Sequence, residues 1–263
     1  MRKTKLQNNS EIYCLSSLEA QMLSKHIDGY LDDFINIEEG DVVVDVGANI
    51  GMLGFTLSEK FKNIEILSFE PIKEIYDILE SNAKLSKNYK FKTYNVGLSN
   101  TNRKANFTYY PYMPSLSNSN PKIWENHTDL IKAVKGSLNE APSNWWWSKM
   151  IPQFLFPLIV RFLTRNKKDV TCYLKTLSTI IKENKIKKID LLKIDCEGNE
   201  LDVIEGIEEV NWDIIKQIVV EVHDIDNRLF YIQDLLRNKG YNLKVEQEPS
   251  LKDIKLFNVF AAH

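Results

Sequence analysis

Three carboxylates crowd one glycine in KIDCEGNE, where Asp195, Glu197 and Glu200 stand together, and Glu221 and His223 close the run VVEVH two positions apart. An imidazole among carboxylates suits proton movement at neutral pH, since its unperturbed pKa lies near 6.5. The spacing of two puts Glu221 and His223 on one face of an extended chain. Asp195 is the first polar side chain after an apolar run, a position from which it can meet a cationic group of a ligand. Glu197 and Glu200 have a plainer use open to them: with Asn199 as N-cap, acids in the first helical turn favour the helix dipole.

A second set lies upstream. VVVDVGANIGMLGFTLS, residues 42–58, runs from an apolar strand into a turn holding Gly47 and Gly51, then into an apolar helix. That is the opening of a nucleotide-binding βαβ unit, whose backbone N–H groups and helix N-terminus are expected to face a ligand. The glycines at 47, 51 and 54 do not have the dinucleotide spacing, and Met52-Leu53 follows Gly51 where a phosphate loop needs Lys and Ser or Thr. A pyrophosphate cradle is therefore disfavoured. Glu70 ends the next apolar run, 23 residues beyond Gly47, where a carboxylate can accept hydrogen bonds from two ribose hydroxyls. Its alternative is a helix-terminal acid ahead of Pro71. Asn95 and Val96 close a third run and offer an amide and an apolar surface to a purine.

Such residues need a frame that gathers strand ends. Residues 64–70 read as a second buried strand and 72–85 as its helix, with Ile75, Ile78 and Leu79 at helical spacing; YKFKTYNVGL holds a third strand from about Phe91. Strands over 188–195 and 216–223, helices through Gly206 and over 228–238, and YNLKVEQ with KLFNVFAA as a closing antiparallel hairpin complete the pattern. The alternation specifies an α/β fold with a doubly wound, mostly parallel sheet.

At 263 residues and 43% hydrophobic content the chain fits a single domain, 1–263, with a sizeable core. Residues 1–40, with Leu18, Met22, Ile27, Leu31 and Phe34 loosely at helical spacing, are expected as a cap of one or two helices, packed on the sheet rather than over a ligand. Thirty-four basic against thirty-six acidic residues leave a net charge of −2, without the basic footprint of a nucleic-acid binder. The basic runs 165–168 and 185–188 are read as solvated surface. Cys14, Cys172 and Cys196 have neither metal-ligand nor redox spacing and fit a reducing compartment. MRKTKLQNN lacks the apolar core of a signal peptide, so a cytoplasmic location is expected.

In order, VVVDVGANIG, FEP, NVGLS, LLKIDCEGNELDVIEG and IVVEVH follow one another as in the FkbM-type family of S-adenosylmethionine-dependent methyltransferases, which the chain resembles from about Asp41 to Gly240 apart from an insertion. The resemblance implies the seven-stranded class I methyltransferase sheet, S-adenosylmethionine as cofactor and S-adenosylhomocysteine as product. It implies that the turn of Asp45, Gly47, Ala48, Asn49 and Gly51 passes under the methionine moiety, and that Glu70, followed by Pro71, holds the ribose. Asn95 and Val96 would flank adenine, and Asp195 would lie near the amino end of the methionine. The chain departs from the family at Thr176-Leu177-Ser178, where Thr-Leu-Asp is usual.

On that reading the expected reaction is O-methylation of a hydroxyl on a small molecule of natural-product or glycan type. An alcohol needs a general base within reach, and His223 is the candidate, with Glu197 orienting it or acting as base and Asp195 beside them. N-methylation, or a non-catalytic cofactor-binding scaffold, are the alternatives. Mg²⁺ held by Asp195 with His223 or Asp224 is open but not favoured. The insertion, residues 109–168, gathers Tyr109, Tyr110, Tyr112, Trp124, Trp145, Trp146 and Trp147 and an apolar run over 154–163. That run is too short for a bilayer, which takes about 20 residues. A lid over a hydrophobic acceptor is preferred for it, ahead of a homodimer face or an interfacial membrane helix.

Overall fold

A computed structural model describes residues 1–31, 33–120, 127–139, 145, 148, 150–247, 252 and 254–263. Its first elements differ from the expected helical cap. A hairpin of β1 (Arg2–Lys5) and β2 (Glu11–Cys14) precedes a single helix, α1 (Ser17–Asp28). Only Leu6, Ile12 and Cys14 of the hairpin region are buried, too few apolar positions to announce strands by alternation. The hairpin is fastened by Asn82, whose amide donates to the carbonyls of Tyr13 and Ile50 and accepts from the Tyr13 N–H.

The main sheet follows the apolar runs. Its strands are β3 (Val42–Val46), β4 (Glu65–Phe69) and β5 (Phe91–Tyr94), with helices α2 (Met52–Lys60) and α3 (Lys73–Leu85) between them. The chain leaves this sheet at Asn95. The expected long third strand is two strands, and β6 (Gly97–Leu98) joins β7 (Arg103–Tyr109) and β8 (Lys168–Lys175) in a separate three-stranded sheet of order β6-β8-β7. Residues 110–167 therefore connect β7 to β8, and carry α4 (His127–Asn139) and α5 (Phe156–Leu163). After α6 (Leu177–Asn184) the main sheet resumes with β9 (Leu191–Ile194), α7 (Glu200–Glu205), β10 (Gln217–His223) and α8 (Arg228–Asn238), then β11 (Asn242–Glu246) and β12 (Leu256–Ala262).

The seven strands lie in the order β11-β12-β10-β9-β3-β4-β5, all parallel except β12. The closing pair is antiparallel, as expected, and β12 inserts between β10 and β11. Both faces of the sheet are buried, one under α1, α2 and α3, the other under α6, α7 and α8, which is why its strands read as unbroken Val, Ile and Leu runs. Register then gathers the site. Val46 pairs with Phe69 and with Ile194, and Phe69 with Tyr94, so Gly47, Glu70, Asn95 and Asp195 leave the sheet at one edge.

Candidate active site

Gly47 is required by contact. Its φ is +72°, and a Cβ there would lie 1.7 Å from the Asp195 carbonyl oxygen, so β3 and β9 can end this close together only at a glycine. Gly51, at φ +81°, begins α2 with a Cβ position 2.5 Å from Leu79. The turn does not present its amides to a ligand as expected. Gly47 and Ala48 N–H donate to the Phe69 carbonyl, Asn49 N–H to Glu70, Ile50 N–H to the Asn49 side chain and Gly51 N–H to the Ala48 carbonyl. All five donors are used internally, which suits a neutral or zwitterionic ligand lying over the turn and removes the basis for an anion cradle.

Glu70 is buried; one carboxylate oxygen accepts from Asn49 N–H (3.2 Å), the other from Ile72 N–H (2.9 Å). Burial pushes its pKa up to about 7 despite those two donors. Asn95 donates to the carbonyls of Glu70 and Pro71, both at 3.0 Å. It thereby fastens the strand end, and neither it nor Val96 reaches the cavity described below. Gly97, Leu98 and Ser99 form the wall there, and the Ser99 hydroxyl is buried without a hydrogen-bond partner.

A buried lysine, unremarked in the sequence, organises the centre of the edge. Lys193, in β9, points its Nζ at Asp45 (3.2 Å), the Gly47 carbonyl (3.0 Å) and Asp195 (3.6 Å). Burial alone would lower its pKa, but Asp45 and Asp195 outweigh that and hold it above the ordinary value. Asp45 also accepts from Ser68 (3.2 Å), so it braces the floor and does not line the cavity. Asp195 does line it. Burial works against its charge, but Lys193, His26 and the Tyr30 hydroxyl bring its pKa below the usual value.

Tyr30 arrives from just beyond α1. Its hydroxyl lies 3.0 Å from Asp195 and 3.3 Å from Glu221, and His26 Nε2 is 2.8 Å from both Glu221 and the Tyr30 oxygen. The N-terminal segment thus reaches into the site as well as packing on the sheet. Neither Tyr30, just past the end of α1, nor His26, in its last turn, carries a signal in the sequence for this role.

His223 sits between acids, with Nε2 3.5 Å from Glu197 and Nδ1 3.5 Å from Glu200. Burial opposes its charge; Glu200, then Glu197 and Glu221, overcome this and push its pKa up to about 9. Glu197 stands at φ +48° with Oε2 buried and without a hydrogen bond. Its burial raises its pKa well above the usual range, against the pull of His223. The pair therefore retains a proton between them at neutral pH. Glu200 accepts from Gly198 N–H (2.5 Å) and lies 3.6 Å from Arg228. Asn199 is the α7 N-cap by position, but its side chain makes no capping bond and donates to the Cys196 carbonyl instead.

These groups share one cavity of ≈ 480 Å³, within the range of small-molecule sites. Gly47, Ala48, Asn49, Glu70 and Pro71 line one side; Asp195, Glu197, Glu221 and His223 line another; Asp45 and Gly51 lie behind the wall. Leu116 and Val134, from the connection between β7 and β8, also line it. Trp124, Trp146 and Trp147 lie outside the described residues. Asp224 takes no place in the wall, as its carboxylate receives Leu229 N–H at the start of α8. Among the described residues no group of three His, Cys, Asp or Glu side chains is arranged to hold a metal ion. At the family's Thr-Leu-Asp position, Thr176 caps α6 and Ser178 receives Glu208 N–H and the Asn211 amide, both at 2.7 Å; the serine performs the anchoring that acceptor oxygens there allow.

A glycine-floored crevice at the carboxyl edge of a mostly parallel sheet, with acids at successive strand ends, is where open α/β proteins bind their ligands. The family model described as "Methyltransferase FkbM domain" matches residues 45–243. Methyltransferase sdnD of Sordaria araneosa is 30% identical over 88% of this chain and 85% of its own. The 31-O-demethyl-FK506 methyltransferase FkbM of Streptomyces tacrolimicus is 28% identical over 98% of this chain and 95% of its own. A solved methyltransferase FkbM from Methylobacillus flagellatus KT has a TM-score of 0.48 at 12% identity, over 84% of this chain and 43% of that one. The chain belongs to the FkbM methyltransferase family, and its fold is the class I methyltransferase sheet.

Proposed function

We infer that the protein transfers the methyl group of S-adenosylmethionine to a hydroxyl oxygen of a small molecule. The observation that carries this is the single cavity joining the Gly47–Glu70 turn to the Glu197–His223 pair. The turn side fits the cofactor. Glu70 offers a buried carboxylate to a diol, the Ser99 hydroxyl lacks a partner, and Asp195 carries its charge toward the space where an ammonium group would lie. Bound there, the cofactor supplies an activated methyl on a sulfonium, so the chain's own task is alignment and exclusion of water.

The other side fits an alcohol. An acceptor hydroxyl must lose its proton as the new bond forms, and the Glu197–His223 pair takes it. If His223 is the base, Glu200 and Glu221 stabilise the imidazolium that forms; if Glu197 is, the proton ends on its carboxyl group. Tyr30 and His26 hold Glu221 in place. The acids of this wall favour a neutral or cationic acceptor over an anionic one, and Leu116 and Val134 favour one with an apolar body. The Streptomyces relative is named for a 31-O-demethyl substrate, which agrees with oxygen as the reacting atom.

Calorimetric titration with S-adenosylmethionine and S-adenosylhomocysteine tests the cofactor half. Binding of both, weakened at least about tenfold by Glu70→Ala through loss of charge-assisted hydrogen bonds, is the expected result. Binding of neither by folded protein would overturn the reading.

A further inference from the structure

One element is left out of the chemistry described so far. α5 is apolar all round except for Arg161, yet only one of its faces is covered: Phe156 and Val160 pack on Leu130, Val134 and Leu138 of α4. Phe154, Leu158 and Phe162 stand 76%, 62% and 49% exposed on the other face, beside Met150 at 69%. Leu158 and Phe162, four apart, share this face of α5, with Phe154 in the 3-10 turn Gln153–Leu155 that leads into the helix and Arg165 just beyond its end. Arg165 lies over the rings of Phe162 (3.9 Å) and Tyr112 (4.5 Å).

Charge says what covers this face. Between Glu140 and Asp169 the sequence has five basic residues, Lys149, Arg161, Arg165, Lys167 and Lys168, and no acidic one, in a chain whose net charge is −2. A second copy of the same face would set these like charges against each other across a two-fold axis. α5 supplies no residue to the cavity wall, which here comes from residues 113–119 and α4. Exposed aromatic and aliphatic side chains flanked by Arg and Lys are the composition of a helix lying in the interface of an anionic bilayer, its rings in the headgroup boundary and its cations on the lipid phosphates.

We propose that the outer face of α5 docks the protein on an anionic lipid surface. No helix among the described residues is long and apolar enough to cross a membrane, so the attachment is peripheral and reversible. It places α4, whose Ala133 and Val134 line the cavity, one helix away from the lipid, across α5, near where an amphiphilic acceptor is concentrated. The docking itself does not depend on the reaction assigned to the cavity.

Co-sedimentation of the full chain with vesicles of phosphatidylcholine, alone or mixed with phosphatidylserine, tests it. The expected result is sedimentation with the mixed vesicles only, released by salt. Arg161→Ala with Arg165→Ala should weaken it roughly 30-fold, at about 1 kcal/mol per basic side chain near such a surface. Phe154→Ser with Leu158→Ser should abolish it while leaving thermal stability unchanged, since both side chains are exposed. No sedimentation with mixed vesicles, or equal sedimentation with neutral ones, overturns the proposal. So does a wild-type dimer that Phe154→Ser with Leu158→Ser makes monomeric, which would assign the face to a second copy.

Discussion

The two sides of the cavity are built on opposite plans. In the glycine turn from Gly47 to Gly51 every backbone donor is consumed by Phe69, Glu70, Asn49 or Ala48. At the ends of β9 and β10, Glu197 has an oxygen without a hydrogen bond, His223 is crowded by three acids, and Glu197 itself has a positive φ. The first plan gives shape: a surface fixed before any ligand arrives. The second stores unfavourable electrostatics, of the kind that gathers with strained backbone at functional sites. A methyltransferase needs both, since the donor must be held still while the acceptor changes charge.

Four experiments press on that contrast. The largest effect falls on the turn. Gly47→Ala drives a methyl group into the Asp195 carbonyl, and chemical denaturation should show a loss of about 4 kcal/mol or more. A tolerated alanine would mean that the strand ends can part and that the turn is not fixed. His223→Ala should leave folding and cofactor affinity nearly unchanged while lowering kcat by about 10²–10⁴-fold, the usual worth of a general base. Glu197→Gln then assigns the roles. If His223 is the base, removing a neighbouring negative charge lowers its pKa, and the rising limb of the pH–rate profile moves to lower pH by about one unit. If Glu197 is the base, turnover is lost and no limb remains to move.

The smallest effect tests whether the satisfied side is wholly at rest. Glu70 has a folded pKa of about 7, above the ordinary value of 4.5. Between those values the folded chain binds more protons than the unfolded one, so this group's contribution to stability is present below pH 4.5 and lost as pH rises through 7. Glu70→Gln should therefore be more stable than wild type at pH 8, by on the order of 2 kcal/mol, with the difference vanishing at acid pH. Equal stability at both extremes would show that the two amide donors already compensate the buried charge.

The legible parts of the chain were those where burial writes an unbroken pattern. The strands of the main sheet are covered on both faces and appear as apolar runs, and their ends coincide with Gly47, Glu70, Asp195 and His223 because a polar residue can first appear where the cover stops. The second sheet was illegible for the converse reason. Its β7 and β8 have one covered face, and Arg103, Lys104, Lys168 and Asp169 at their pairs' ends look like surface. Asn95 ends a strand, as a ligand to adenine would, but its amide is spent on the carbonyls of Glu70 and Pro71, which the sequence does not encode. Lys193, by contrast, carries a legible signal. A lysine in the middle of LLKID, with Asp45 in the neighbouring VVVDV, can exist in a covered sheet only as a pair. Tyr30 and His26 come from 165 and 195 residues away from their partners, a separation that no local pattern encodes.

The position of β12 carries a consequence for how the molecule is made. β11 is synthesised first but lies outside β12, and pairs with β12 alone. Until residues 256–262 emerge from the ribosome, β11 has no neighbour to bond and β10 presents a bare edge beside Glu221 and His223. Leu256 and Asn258, which line the cavity, arrive with that last strand. This part of the cavity is therefore closed only after β12 has been made, and a nascent chain that already carries the complete glycine turn still has an open crevice beside β10.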